Sequence, residues 1–450
     1  MKKWMAMLLS CVLALNLAAC GAGADGGPED GDPAETALHF ELTTSVYEDE
    51  YKADDGTVLF SERYELPQLE LRDESGDVYT LAENVTANGG AGETAQLRVQ
   101  AAFKTEMESV LTSLRADAGK MTEEAKELYA AGTDGSMFTT GGSWTSELTL
   151  GEVYRVEGKL LSIEAEEYTY YGGPHPNSAS RTWNFDLTSG EFLTFDDLAS
   201  QEGDVNGNTL QERIYWSIAS QIGEQNLNEG YFDDYDSYLL DFPSFAALRF
   251  TAAGMTVTFD NYIIAPYAAG PQVFEVPYDA FYSALSEHAK ELLDVSQEQI
   301  VLSDFDTAAA LWAWFHMLSP ACSAESGTVE IGGYTYWGAE IGGVSTMSEL
   351  RALLCRYFDA SLADEWLAEE PARFAEEGGR LYVLDGARGS DIDIIGDTRS
   401  VTLDGETGVV TQVITRRDPG GEDPGGEETI EYPFTLVDGR AVFSAFPYPY

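Results

Sequence analysis

The segment Tyr168-Thr169-Tyr170-Tyr171-Gly172-Gly173-Pro174-His175-Pro176-Asn177 decides how this chain is read. Gly172-Gly173 permits a backbone bend or close approach that a Cβ would forbid. His175 between two prolines is held extended, because proline fixes its own φ and biases the residue before it away from helix. On the N-terminal side, Trp144–Tyr171 alternates around a turn at Glu157-Gly158-Lys159, with Val153, Val156, Leu161 and Ile163 at apolar positions, which predicts two strands. On the C-terminal side come Arg181–Asp186, a turn between strands at Leu187–Gly190, and Leu193-Thr194-Phe195-Asp196-Asp197-Leu198. The Asp pair is placed to cap a following helix. Further on, Met255–Tyr262 runs into Ala265-Pro266-Tyr267-Ala268-Ala269-Gly270 and then Phe274–Tyr278.

Outward from these motifs, residues 37–90 read as β structure, with a hairpin turn at Asp54-Asp55-Gly56 between Ser45–Lys52 and Thr57–Tyr64, and further alternation over Glu65–Arg72. Phe103, Met107, Val110, Leu111 and Leu114 fall on one helical face, and Lys120–Ala131 reads as a second short helix. Helices are predicted over Thr209–Asn226 and Tyr278–Leu293, and strands over Arg249–Phe259 and Gln272–Pro277. Beyond Ser303, helices are predicted over Asp306–Leu318, Thr346–Phe358 and Leu362–Glu377. A hairpin of Val409–Arg416 and Thr429–Val437 follows, tipped by a duplicated Asp-Pro-Gly-Gly-Glu. The expected fold class is α+β, with antiparallel sheets and packed helices.

The chain has 450 residues, with 25 Lys+Arg against 78 Asp+Glu and a formal net charge of −53. Phosphate backbones would repel it, so no nucleic-acid partner is expected. With 21 Phe, 24 Tyr and 8 Trp, it has enough large apolar side chains for real cores, which argues against disorder. Met1-Lys2-Lys3, the apolar run Trp4–Leu17 and Leu17-Ala18-Ala19-Cys20 have the layout of a secretory signal ending in a lipobox. Cys20 is thus the expected lipidation site. The expected location is the extracellular face of a bacterial membrane, anchored by lipid. Residues 20–36 read as a flexible tether. Cys322 and Cys355 are an even pair in an exported chain, open between a disulfide and two buried free thiols. No cofactor is expected. No zinc spacing is present, and none of His39, His175, His288 and His316 are four apart, so no metal site is expected. Asp204-Val205-Asn206-Gly207-Asn208 and Asp233, Asp234 and Asp236 read as solvated loops rather than cation sites.

The Gly-Gly-x-His-x-Asn segment, the Asp186–Gly190 turn with its Leu-Thr-x-x-Asp-Leu continuation and the Ala-Pro-Tyr-Ala-x-Gly segment resemble a known module. It is the extracellular domain shared by lysozyme-sensing anti-sigma factors and by the non-catalytic part of some peptidoglycan deacetylases. The resemblance covers about residues 37–295, as an N-terminal part (37–170) and a core (171–300), and departs from many relatives at Pro174 and Pro176. It implies a protein-binding or wall-associated role rather than an activity, with Tyr171, Gly172, Gly173, His175, Asn177, Pro266 and Tyr267 as candidate partner-binding residues. His175 itself reads either as an exposed binding or catalytic group or as a hydrogen-bond partner for neighbouring loops. Thr194-Phe195-Asp196-Asp197 also matches a polysaccharide deacetylase motif, but the paired His-x-x-x-His that would hold the metal is missing. Residues 301–450 resemble, more weakly, secreted inhibitors of wall DL-endopeptidases, and also cystatin-like or NTF2-like folds. In the inhibitor reading, the loop Gly386–Asp397 with Arg388, Asp391 and Asp393 would face the partner; the alternative is a polar hairpin. The function expected is a lipoprotein that binds a basic cell-wall hydrolase, lysozyme or DL-endopeptidase, and senses or inhibits it. A wall-polymer enzyme and a passive peptidoglycan scaffold are the alternatives.

Overall fold

A computed structural model describes residues 38–79, 95–132, 142–224, 230–386, 394–417 and 424–449. The lipobox with Cys20, and Arg388, Asp391 and Asp393, lie outside the described residues. The protein is α+β and divides into two compact units. Unit 1 comprises Met1–Thr194, Ala246–Thr251 and Val257–Val273; unit 2 comprises Phe195–Phe245, Ala252–Thr256 and Phe274–Tyr450.

Unit 1 is built on a five-stranded sheet in the order β1-β2-β3-β4-β5: His39–Lys52, Val58–Arg72, Trp144–Val156, Leu160–Tyr170 and Asn177–Asp186. All pairs are antiparallel except β2 with β3, which are parallel over Phe60–Tyr64 and Trp144–Leu148. A parallel neighbour requires a crossover connection, and the helix α1 (Ala95–Ala130) lies in it. The predicted turns at Gly56 and Gly158 are present, each glycine at positive φ. Pro67 lies in β2 opposite Thr44, beyond the stretch paired with β3, where a missing N–H costs no ladder bond. β1 is an edge strand, and Glu48, Asp49, Glu50 and Lys52 guard it against pairing with another chain.

Two sequence expectations fail over residues 95–259. The two helices expected around residues 103–131 are one helix of 36 residues, running unbroken through Gly119. Its two ends serve different clusters, which is why the apolar spacing changes along it. Val99, Phe103, Met107, Val110 and Leu114 pack on the sheet with Leu148, Ile163 and Phe185. Ala118 and Ala125 pack with Leu59, Phe60 and Trp144. Arg249–Phe259 is not one strand but two, β6 (Ala246–Phe250) and β7 (Gly254–Phe259), which form a three-stranded sheet with β8 (Gln272–Pro277).

Unit 2 contains α2 (Leu210–Glu224), α3 (Gln297–His316), α4 (Met347–Leu354) and α5 (Ala360–Leu367). Two four-stranded antiparallel sheets accompany them: β9 (Cys322–Ile331), β10 (Tyr334–Ala339), β11 (Phe374–Glu377) and β12 (Arg380–Val383) in the order β11-β12-β10-β9, and β13 (Ile394–Asp404), β14 (Thr407–Arg417), β15 (Pro424–Val437) and β16 (Arg440–Phe443) in sequence order. Ser296 caps α3 by accepting from Gln299 N, so that helix starts earlier than its Trp-rich part suggests. Thr346 and Glu349 form a capping box on α4. The expected helix Tyr278–Leu293 is interrupted: Ser286 is extended and caps a new helix, Glu287–Leu292. The expected helix Leu362–Glu377 ends at Leu367, and its tail becomes β11. Cys322 and Cys355 are both free thiols. One cluster around Phe305, Leu311, Phe358, Tyr432, Phe443 and Phe446 unites α3, α5 and both sheets.

Candidate functional site: an aromatic loop surface

Two loops meet in unit 1. The first leaves β4 at Tyr170. Gly172 and Gly173 have φ of 85° and 112°, so the close backbone turn that Gly-Gly suggested is present. Tyr170 Oη donates to Gly173 O at 3.2 Å, and Asn177 Nδ2 donates to Tyr171 Oη at 2.9 Å, pinning the loop as β5 begins. The Tyr171 ring sits edge-on to Trp144, 6.2 Å between centroids. The second loop follows β7. Tyr262 N donates to Ala265 O at 3.1 Å with Tyr262 at φ 69°, an uncommon conformation for a bulky residue. Pro266 then leads a single 3₁₀ turn, Tyr267–Ala269, closed by Gly270 at φ 73°.

His175 joins the two loops. Its ring stacks on Tyr267 at 3.9 Å and 19°, and its Nε2 lies 3.1 Å from Tyr262 Oη. Its Nδ1 is 3.0 Å from Pro176 O. A carbonyl only accepts, so Nδ1 donates to Pro176 O, and Tyr262 Oη is the hydrogen-bond partner of Nε2. Of the two readings of His175, this geometry is the hydrogen-bond partner. A further tie comes from Ser180 N, which donates to Asp260 Oδ1 at 2.8 Å.

The surface is aromatic and acidic. Tyr171 and Tyr262 are 51% and 53% exposed, enough for a partner to cover them. Burial pushes the Asp260 carboxyl up, and Glu167 and Glu166 on β4 add to the rise. The structure therefore brings Tyr171, Gly172, Gly173, His175, Asn177, Pro266 and Tyr267 into one place, although nearly 90 residues separate the two loops. Tyr262 completes the cluster and was missed as a site residue, because nothing in Asp260-Asn261-Tyr262 announces a left-handed tyrosine.

The acidic loops do other work. Asp204 accepts from Asn206 N, Asn208 N and Asn208 Nδ2, and Asp236 accepts from Tyr215 Oη. Asp186 accepts from Thr188 and Ser189 and so builds the turn before Gly190. Among the described residues, no group of three or more His, Cys, Asp or Glu is placed to hold a metal ion.

Comparison with known proteins matches a family model over part of the chain and gives no activity. The family described as "Protein of unknown function (DUF3298)" matches residues 196–279, which take in the Pro266–Tyr267 loop but not the Gly172–His175 loop. No curated protein matches the chain. The chain is similar to a solved DUF3298 member from Bacteroides fragilis, at 16% identity over 56% of this chain and 95% of that one, with a TM-score of 0.34. It is also similar to a DUF3298 protein from Pseudomonas aeruginosa, at 15% identity over 56% of this chain and 96% of that one, with a TM-score of 0.32. Residues 196–279 carry a DUF3298 domain.

Proposed function

We propose that this chain is a lipid-anchored extracellular protein that binds a basic cell-wall hydrolase, lysozyme or a DL-endopeptidase, through the aromatic loop surface of unit 1. The observation that carries the reading is the His175–Tyr262–Tyr267 stack, held by hydrogen bonds within a chain of net charge −53. Rigid, half-exposed tyrosines supply contact area at low entropic cost, which is what interface hot spots use. A strongly acidic chain steers a basic partner toward them. The lipobox ending at Cys20 supports the anchor and the location. No helix among the described residues is long and apolar enough to cross a membrane.

Binding of the full chain in detergent to lysozyme and to a DL-endopeptidase, by biolayer interferometry, tests the proposal. Affinity should fall as salt rises from about 0.05 to 0.5 M, because exposed charges are screened. Tyr262→Ala and Tyr267→Ala should each weaken binding by about tenfold, roughly 1.4 kcal/mol. Binding to neither hydrolase at low salt would sink the reading.

A further inference from the structure

Unit 2 contains a polar cavity of about 280 Å³. At roughly 30 Å³ per water molecule, that is room for a dipeptide-sized ligand and little more. Its walls come from the loop Ser200–Val205, the helix Glu287–Leu292, α3, the loop after β10, the end of α4 and β16. Three cations line it, Lys290, Arg356 and Arg440, together with three carboxylates, Glu202, Asp204 and Glu287.

Most of these charges are already used. Arg440 Nε donates to both oxygens of the fully buried Asp304, at 2.8 and 3.1 Å, and its Nη2 bonds Asp304 as well. Lys290 pairs with Glu287 at 2.8 Å. Asp204 is spent on the Asn206–Asn208 turn. That leaves Arg356 and Glu202. Among the described residues, neither side chain has a hydrogen bond or an ion pair, to each other or to anything else. In a chain where acids outnumber bases threefold, an arginine has every opportunity to pair. An unpaired guanidinium and an unpaired carboxylate facing one polar cavity form a complementary arrangement for a ligand with both charges. The balance of signs disfavours a polyanion, which would meet three carboxylates.

We propose that this cavity binds a small zwitterion, a free amino acid or short linear peptide, with its carboxylate on Arg356 and its ammonium on Glu202. Arginine suits the carboxylate end because its planar fork matches two oxygens at once. The cavity lies in unit 2 and its reading does not rest on the hydrolase proposal, so either can fail without the other.

Isothermal titration of the full chain with alanine, alanyl-alanine and trialanine tests the proposal, with N-acetyl-alanyl-alanine, alanyl-alanine amide and inorganic phosphate as controls. At least one of the three zwitterions should bind saturably, and blocking either end of alanyl-alanine should weaken it about tenfold or more. Arg356→Ala should weaken alanyl-alanine by a similar factor and leave the amide unchanged. Glu202→Gln should do the same for the free and N-acetylated forms. Both side chains are exposed, so neither variant threatens the fold, and unchanged thermal melts would verify this. Saturable binding by none of the three, or binding of phosphate or of the blocked peptides as tight as that of the free ones, would overturn the proposal.

Discussion

Unit 1 spreads its core along one helix, whereas unit 2 gathers its core around one ring. In unit 1, Phe103 on α1 meets Phe185 at 5.1 Å and Phe192 at 5.8 Å, and Val99, Met107, Val110 and Leu114 continue the same buried face along the helix. In unit 2, Phe305 on α3 lies within reach of Tyr432 at 4.8 Å, Phe446 at 5.3 Å, Phe443 at 6.0 Å and Tyr448 at 6.1 Å. The Arg399 guanidinium sits over the same ring at 5.1 Å. Burial works against that charge, but Asp306 and Asp397 outweigh it and hold Arg399 above its ordinary range. In unit 1, Tyr64 is buried in the core while Tyr171 and Tyr262 stand half exposed on loops; in unit 2, Tyr432 is buried and Tyr448 packs beside it and Phe305. An aromatic side chain is therefore informative about recognition only where the core does not already account for it. Tyr171 and Tyr262 pass that test; Tyr432 and Tyr448 do not.

The largest effect that could break this contrast is at the two phenylalanines, which have the same size and the same complete burial. Phe305→Ala and Phe103→Ala should each cost about 3–5 kcal/mol. Phe305→Ala should cost about 1 kcal/mol more, because it loses more ring pairs. Urea denaturation of both variants measures the difference, and equal losses would remove Phe305 from its pivotal place. Next in size is Arg440→Ala, which strands the buried Asp304 carboxylate. The expected loss at pH 7 is about 3 kcal/mol, at the low end for a buried pair because Arg440 is partly exposed. Burial already pushes Asp304 up. Without its cation it should take a proton easily, so the loss should shrink at pH 5. A loss equal at both pH values would mean that packing, not charge, holds β16 to α3. Smaller still is Gly190→Ala in unit 1. Gly190 has φ 83°, and a Cβ there would come 3.2 Å from Val99 Cα on α1. The cost should be about 2 kcal/mol, against about 1 kcal/mol for Gly158→Ala, which has a similar positive φ and open space. Equal costs would show that α1 does not press on that turn.

The hairpins, the turns at Gly56 and Gly158 and the α+β class were legible because period-2 patterns and glycine turns are local signals. Several helix ends also carry local signals in the sequence. Ser286 and Ser296 are ordinary N-caps, and Pro371 stands inside the helix expected over Leu362–Glu377. The continuity of α1 had none, since Gly119 and the change of apolar face read as a break until both clusters are seen. The loop cluster was legible only as two separate motifs; what joins them is the His175 stack, a tertiary contact. The cavity of unit 2 was not legible at all. Arg356 and Glu202 are more than 150 positions apart in a chain full of acids, and only the fold shows that both stay unpaired.

The smallest effect is spread over both units and concerns pH. Burial raises the carboxyls of Glu62 and Asp260 in unit 1 and of Asp279 in unit 2, with Asp306 adding to the last. Each folded-state carboxyl therefore holds its proton to a higher pH than in the unfolded chain, where carboxylates titrate near about 4. Between the unfolded and folded values the native state binds more protons, so stability falls as pH rises through that window. The contribution is complete below about 4 and is lost as pH rises through the folded-state values. A second set opposes it at lower pH. Glu287 is held down by Lys290 and Asp364 by Arg351, and their contributions, present above about 4, are lost as pH falls further. Repulsion within a chain of net charge −53 adds to the first trend. Stability should rise as pH falls from 7 toward 5 and fall again below about 4. Asp260→Asn and Asp279→Asn should each flatten the slope between pH 5 and 7. Urea midpoints that rise monotonically toward pH 7 would mean that the paired carboxylates, not the buried ones, govern the balance in both units.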